Sequence, residues 1–247
     1  LAAIVGDPAC ARDPDLAQET NLSGSLSVLE QSRQAGISRF IFASTCSNYG
    51  RMSGPDQLVD ETSELIPLSL YAETKVAVEE SILDLQGQNF CPTVLRFATV
   101  FGVSPRMRFD LTVNEFTLDM INKGELLVYG EQFWRPYAHV VDIARAISMV
   151  LEAPEDQVGN QVFNVGDTGQ NYQKQQLVEL IRPHAPGVKV DYVRKEEDPR
   201  DYRVSFDRIR ETLGYEITHT VEDGIREVAE LVQNGVIGEF DAPEYKN

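Results

Sequence analysis

Residues 40–45 read Phe40-Ile41-Phe42-Ala43-Ser44-Thr45, and residues 69–75 read Ser69-Leu70-Tyr71-Ala72-Glu73-Thr74-Lys75. The first is a short apolar run after Gly36 that ends in hydroxyls, as a parallel strand buried on both faces does. In the second, helical spacing places Tyr71, Lys75, Val78, Ile82 and Leu85 on one stripe that is apolar at its lower end. A lysine on a core-facing stripe is costly unless its ammonium is paired. A tyrosine one turn away offers a phenol whose ordinary pKa of about 10 a nearby cation would lower. Spacing alone favours an amphipathic helix whose Tyr and Lys reach to solvent, because the four-residue pattern is short.

The surroundings change that balance. The polar cluster Ser44-Thr45-Cys46-Ser47-Asn48 follows the first run, at the strand edge where open α/β sheets bind ligands. A second apolar run, Val94-Leu95-Arg96-Phe97, follows the Tyr71 helix and breaks at Gly102. Strand, helix and strand thus alternate, with polar groups gathered at the strand tips. Helices are expected near 14–35, 69–86, 112–123, 141–152, 172–182 and 221–234, and strands near 39–44, 93–97, 126–129, 161–165 and 188–193. The first helix has Asp13-Pro14 at its start and Gly36 at its end, as capping chemistry prefers. No internal repeat or low-complexity stretch occurs.

Six segments in this order resemble the extended short-chain dehydrogenase/reductases, specifically the sugar-nucleotide epimerase/dehydratase family. Leu1-Ala2-Ala3 is similar to the end of the family's fourth strand, and Asn21-Leu22-Ser23-Gly24-Ser25 to its Asn-x-x-Gly-Thr helix segment. Ser44-Thr45-Cys46-Ser47-Asn48-Tyr49-Gly50 resembles its Ser/Thr-x-x-x-Tyr-Gly turn, and Tyr71-x-x-x-Lys75 its catalytic pair. Leu95-Arg96-Phe97-Ala98-Thr99-Val100-Phe101-Gly102 and Arg135-Pro136-Tyr137-Ala138-His139-Val140-Val141-Asp142 resemble its later strand-and-loop signatures. The family's Gly-rich turn, which holds a pyrophosphate at a helix N-terminus, is not in this sequence. With βαβ units of roughly 30 residues, about 60 to 70 residues are expected upstream, as in a fragment of a longer protein.

The resemblance implies a Rossmann-type doubly wound parallel sheet, lacking its first strands, with a smaller C-terminal α/β substrate lobe. Residues 1–103 and 139–166 would form the dinucleotide-binding part, 104–138 and 167–240 the interleaved lobe, and 241–247 a tail. Tyr71 would be the acid/base on a sugar hydroxyl, Lys75 the cation that binds the cofactor ribose, and Thr45 the aligning hydroxyl. NAD is the expected cofactor, with NADP as the alternative, held by Leu1, Ala2, Ala3, Asn21, Ser44, Tyr71, Lys75, Phe97 and Thr99. A nucleotide-diphosphate sugar is the expected substrate, met by Thr45, Cys46, Ser47, Thr99, Arg106, Asn114, Arg135 and Arg200. His139 reads as structural rather than as a base. Relatives that dehydrate carry two carboxylates where this chain has Cys46 and Ser47. Oxidation and re-reduction at one carbon remain, as in a 4-epimerase, or net reduction of a 4-keto sugar; a non-catalytic dinucleotide-binding protein is the alternative of another class. The family also implies a homodimer built from the helices over 21–35 and 71–85.

Composition sets outer bounds. The 247 residues can bury a substantial core, and 39 acidic against 22 basic residues give a net charge of −17, which opposes nonspecific binding to nucleic acid. No run of 18 apolar residues suggests a membrane span. Three cysteines, Cys10, Cys46 and Cys91, lack metal-ligand spacing and suit a reducing cytoplasm, so no metal is expected.

Overall fold

The computed structural model describes residues 3–51, 54, 57–85, 90–196 and 201–246. The expectations for Leu1, Ala2 and Arg200 lie outside the described residues. Helices α1 (Asp7–Arg12), α2 (Pro14–Gln18) and α3 (Gly24–Gln34) open the chain, the last two joined by a π-turn over Glu19–Ser23. Strand β1 (Arg39–Thr45) follows, then α4 (Leu70–Leu83), β2 (Cys91–Phe97) and β3 (Thr99–Phe101). Next come α5 (Thr112–Leu118), β4 (Glu125–Tyr129), β5 (Trp134–His139), α6 (Val140–Glu152), α7 (Glu155–Val158) and β6 (Gln161–Val165). Strand β7 (Asn171–Gln173), α8 (Lys174–Ile181), β8 (Lys189–Val193), α9 (Asp207–Leu213) and α10 (Val221–Gln233) complete the order.

The architecture is a Rossmann-type α/β fold. Strands β1, β2 and β6 pair in parallel, with β2 in the middle and Phe42 opposite Val94. Successive residues of β2 serve opposite faces, as the strand period demands. Val94 packs with Phe42 and with Leu29, Val78 and Ile82 of α3 and α4. Leu95 packs with Phe163 and with Ala146, Val150 and Ile209 of α6 and α9. Both faces are therefore covered, which is why these strands read as continuous apolar runs. At Ala98 the chain changes sheets: its N–H donates to Val165 O at 3.1 Å, and the next residues, β3, pair instead with β5. Strand β7 joins β5 antiparallel, while β4 and β8 form a separate parallel pair. A second core, around Phe116, Met120, Val128, Tyr137, Leu177 and Ile225, lies under these later elements.

Every helix and strand expected from spacing is present, with ends shifted by a few residues. Helices α1, α7 and α9 and strands β3, β5 and β7 are additional. Among the described residues no helix is long and apolar enough to cross a membrane.

Candidate active site

The site begins with a local decision at the end of β1. Thr45 is extended (φ −147°, ψ 141°), and its side-chain oxygen accepts the Ser47 N–H at 3.1 Å, capping the 3₁₀ turn Cys46–Tyr49. Ser69 does the same for α4, accepting the Ala72 N–H at 3.3 Å while donating to Asp7 at 2.7 Å. These two caps aim the Thr45 turn and the first turn of α4 at one space, a cavity of about 750 Å³ at the carboxyl tips of β1 and β2. Ala3, Val5, Gly6 and Asp7 line one side, with Thr20, Gly24, Ser25 and Val28 beside them. Phe40 to Thr45, Ser47, Tyr71 and Lys75 form the floor. Phe97 to Gly102, Ser104, Arg108, Leu111, Asn114, Val140 and Tyr202 close the other side.

Lys75 is 5 % exposed, and its ammonium donates to Ala43 O at 2.8 Å. It lies 4.7 Å from the Phe42 ring centroid and 5.8 Å from that of Tyr71. Burial pulls its pKa down to about 8, against the upward pull of Cys10 and Glu79. Tyr71 differs from the expectation of a phenol brought towards neutrality. Burial, with Cys10, Asp7 and Tyr202 nearby, raises its pKa, and Arg108 is the group that opposes this. The Lys75 ammonium gives one of its three N–H donors to the strand carbonyl of Ala43.

Of the expected cofactor residues, Ala3, Ser44, Tyr71, Lys75, Phe97 and Thr99 line the cavity. The Ser44 hydroxyl itself donates to Glu79. Asn21 sits apart: its amide clamps the backbone of Ile4, accepting from N at 2.8 Å and donating to O at 2.9 Å. It thereby holds the segment whose Ala3 and Val5 form the cavity edge.

The expected substrate residues divide as well. Thr45, Ser47, Thr99 and Asn114 line the cavity. The Asn114 amide is used on the chain, accepting from Gly102 N at 3.1 Å and donating to Arg108 O at 3.1 Å, so it tethers the loop after β3. Cys46 is 1 % exposed in the core, with its thiol on Arg96 O at 3.3 Å and its pKa pushed well up by burial. Arg106 is exposed and away from the lining, whereas Arg108 reaches it, paired through two bonds with Asp110 at 2.6 and 2.7 Å. Arg135 is buried, donates to Trp134 O at 2.7 Å and lies 5.7 Å from the Tyr202 ring centroid.

Sequence reasoning missed Tyr202 and Glu79. Tyr202 is 2 % exposed, and its Oη lies 3.3 Å from Ser47 Oγ. It arrives from more than a hundred residues away on a stretch without period, so no local signal marks it. Glu79 was legible in principle: it interrupts the apolar stripe between Val78 and Ile82, while Arg96 interrupts an apolar strand.

His139, Asp142 and His219 bring metal-ligating atoms within 4.8 Å of one another. Their hydrogen bonds account for those atoms. His139 Nδ1 accepts the Val141 N–H at 3.3 Å, so the network assigns the ring proton to Nε2, which faces Glu227 Oε2 at 3.0 Å. Asp142 accepts from Thr218 N and Oγ1, His219 N and Arg145. These bonds serve the cap of α6 and the approach to α10.

Comparison with known proteins agrees with this geometry. The chain is 26% identical over 251 residues to a UDP-glucose 4-epimerase of Rhizobium leguminosarum bv. trifolii, covering 92% of this chain and 74% of that one. It is 34% identical over 157 residues to protein CapI of Staphylococcus aureus, covering 62% of this chain and 46% of that one. It superposes with a TM-score of 0.82 on the crystal structure of a UDP-glucose 4-epimerase from Thermotoga maritima with UDP-glucose, at 28% identity, covering 96% of this chain and 77% of that one. Residues 1–166 match the model of the NAD dependent epimerase/dehydratase family. The chain belongs to that family.

Proposed function

We propose that the full-length protein inverts C4 of a nucleotide-diphosphate sugar through a transient 4-keto sugar, with Tyr71 as acid/base and a nicotinamide dinucleotide, NAD or alternatively NADP, as resident cofactor. The observation that carries this reading is the convergence of Tyr71, Lys75 and Thr45 on one cavity at the strand tips. The residues present suit such a cofactor. Apolar side chains of Val5, Val28 and Phe40 offer a slot for a flat ring, and the buried Lys75 ammonium offers donors to a ribose diol.

A nicotinamide held by these residues would supply reversible hydride acceptance at C4. Tyr71, as phenolate, takes the proton of the 4-hydroxyl as that hydride leaves, and returns it when the opposite face is reduced. Burial opposes the phenolate, so the cationic form of Lys75 is required nearby. Thr45 aligns the same oxygen. Ser47, within reach of Tyr202, would face the sugar, and Arg135 and Arg200 would meet the diphosphate, since guanidinium forks suit phosphate. Dehydration would need carboxylates beside Thr45, where Cys46 and Ser47 stand.

The expected homodimer through α3 and α4 belongs to this reading. Leu29 is buried against Phe42 and Val78 and Leu22 and Leu26 pack there too, so the helix faces left for a partner are not built on these leucines.

The test is a panel of nucleotide sugars given to the full-length protein and to Tyr71→Phe. Epimerised product without net change in reduced-nicotinamide absorbance supports the reading; stoichiometric consumption of NADH or NADPH makes the protein a 4-keto-sugar reductase instead. Tyr71→Phe should keep cofactor and lose turnover by roughly 10²- to 10⁴-fold. A full-length protein that binds the dinucleotide but turns over no sugar, unaffected by Tyr71→Phe, would be a dinucleotide-binding module.

A further inference from the structure

The structure assigns Glu79 as a positioning residue of this site: its carboxylate locks the Thr45 turn to the helix that carries Tyr71 and Lys75, and sets a buried negative charge one turn from the lysine. The inference rests on the proposed acid/base reading of that pair.

Glu79 lies four residues after Lys75 on α4, with its side chain 2% exposed. Its carboxylate accepts from the Ser44 hydroxyl, from Asn48 Nδ2 at 2.8 Å, and from Arg96 Nε at 3.0 Å and Nη2 at 2.6 Å. The donors come from β1, from the 3₁₀ turn and from β2. Thr45 stands between Ser44 and that turn, so its position relative to Tyr71 is held through one carboxylate. Arg96 extends the lock to Tyr49 Oη at 3.0 Å, which donates to Asn164 of β6 at 2.7 Å.

A buried ion pair alone is weak evidence for more than structure, because well-packed apolar residues often replace one without loss. The neighbourhood of Lys75 separates the two roles. Tyr71 and Glu79 face it from α4, the Phe42 ring and Ala43 carbonyl from β1, and Cys10 from α1. Burial raises the Cys10 thiol and the Tyr71 phenol, so both stay neutral near pH 7. Glu79, paired with Arg96, is the carboxylate of α4 that acts on the lysine alongside the Cys10 thiol.

The experiment titrates Lys75 directly, by NMR of lysine labelled at the side chain in the full-length protein, with Lys75→Arg assigning the signal. The alkaline limb of the kcat profile is measured in parallel. Glu79→Gln should move the Lys75 midpoint and the limb down together by roughly one pH unit. Arg96→Lys keeps the charges but loses the fork; it should lower kcat and Tm and leave the midpoint in place. Glu79→Gln/Arg96→Gln removes the orphaned cation and should still show the lowered midpoint, which covers a single variant that does not fold. An unmoved midpoint in both Gln variants overturns the role of Glu79. Turnover that survives Tyr71→Phe overturns the catalytic reading instead, and leaves the lysine titration to decide on Glu79 by itself.

Discussion

The Lys75 ammonium donates to Ala43 O at 2.8 Å, joining α4 to the third residue from the end of β1. This contact holds a cation in a place that does not favour one. Its folded-state pKa, about 8, lies below the ordinary 10.5, so the folded protein binds this proton less well than the unfolded chain does. The resulting cost is fully present below pH 8 and disappears as pH rises from there towards 10.5. Urea denaturation should therefore show stability contributed by this group rising between pH 8 and 10. Lys75→Met should be more stable than wild type at pH 7 by about 1–3 kcal/mol, and inactive.

Thr45 carries a structural task and the proposed catalytic one through a single oxygen. Thr45→Val removes both and should lower stability by about 1 kcal/mol, with kcat falling at least tenfold. Thr45→Ser keeps the oxygen and should retain the stability and most of the turnover. Thermal melts beside steady-state kinetics read the two effects separately.

Gly102 has φ +102°, and a methyl group there would overlap the His139 ring. Its N–H also holds the Asn114 side chain at 3.1 Å. Gly102→Ala should cost about 2–4 kcal/mol and loosen the loop that brings Arg108 to the cavity. A lowered Tm with faster hydrogen exchange over 102–110 is the expected result.

Asp142 is fully buried, which pushes its carboxyl up, but bonds from Thr218, Arg145 and the backbone of Thr218 and His219 hold it below the usual range. A depressed carboxyl stabilises the fold above the unfolded-state value and loses that contribution as pH falls through the folded one. Asp142→Asn turns an amide donor towards N–H donors, and should cost about 2–3 kcal/mol at pH 7 and less at pH 3, below the ordinary carboxyl value. Denaturation at the two pH values measures the difference.

Much of the fold was legible because its central strands are buried on both faces. Phe40 to Ala43, Val94 to Phe97 and Val162 to Val165 stand out as apolar runs for that reason. Strand β5 did not, because Arg135 and Pro136 interrupt it and its partner β7 is three residues long. Thr99 to Phe101 continues the run of β2 in sequence; its departure to another sheet depends on the distant Val165 carbonyl. In the site, Tyr71 and Lys75 show themselves by a four-residue step. Tyr202 cannot, since nothing local distinguishes it from a surface tyrosine. Arg106 and Arg108 are alike in sequence, and the one that reaches the cavity is the one held by Asp110.

The π-turn at Glu19–Ser23 places a surplus residue in an otherwise continuous helix. One residue of an α-helix corresponds to about 100° of rotation. Upstream of the turn, Ala17 is buried; within it, Asn21 faces Ile4 while Thr20 and, just beyond, Gly24 face the cavity. The bulge thus works as a phase adjuster between two stretches with separate obligations. Shortening the chain there by one residue would relax the turn to regular geometry and rotate α3 with its leucines against the sheet. Length in this segment is therefore as constrained as chemistry, and alignments of relatives should place their gaps elsewhere.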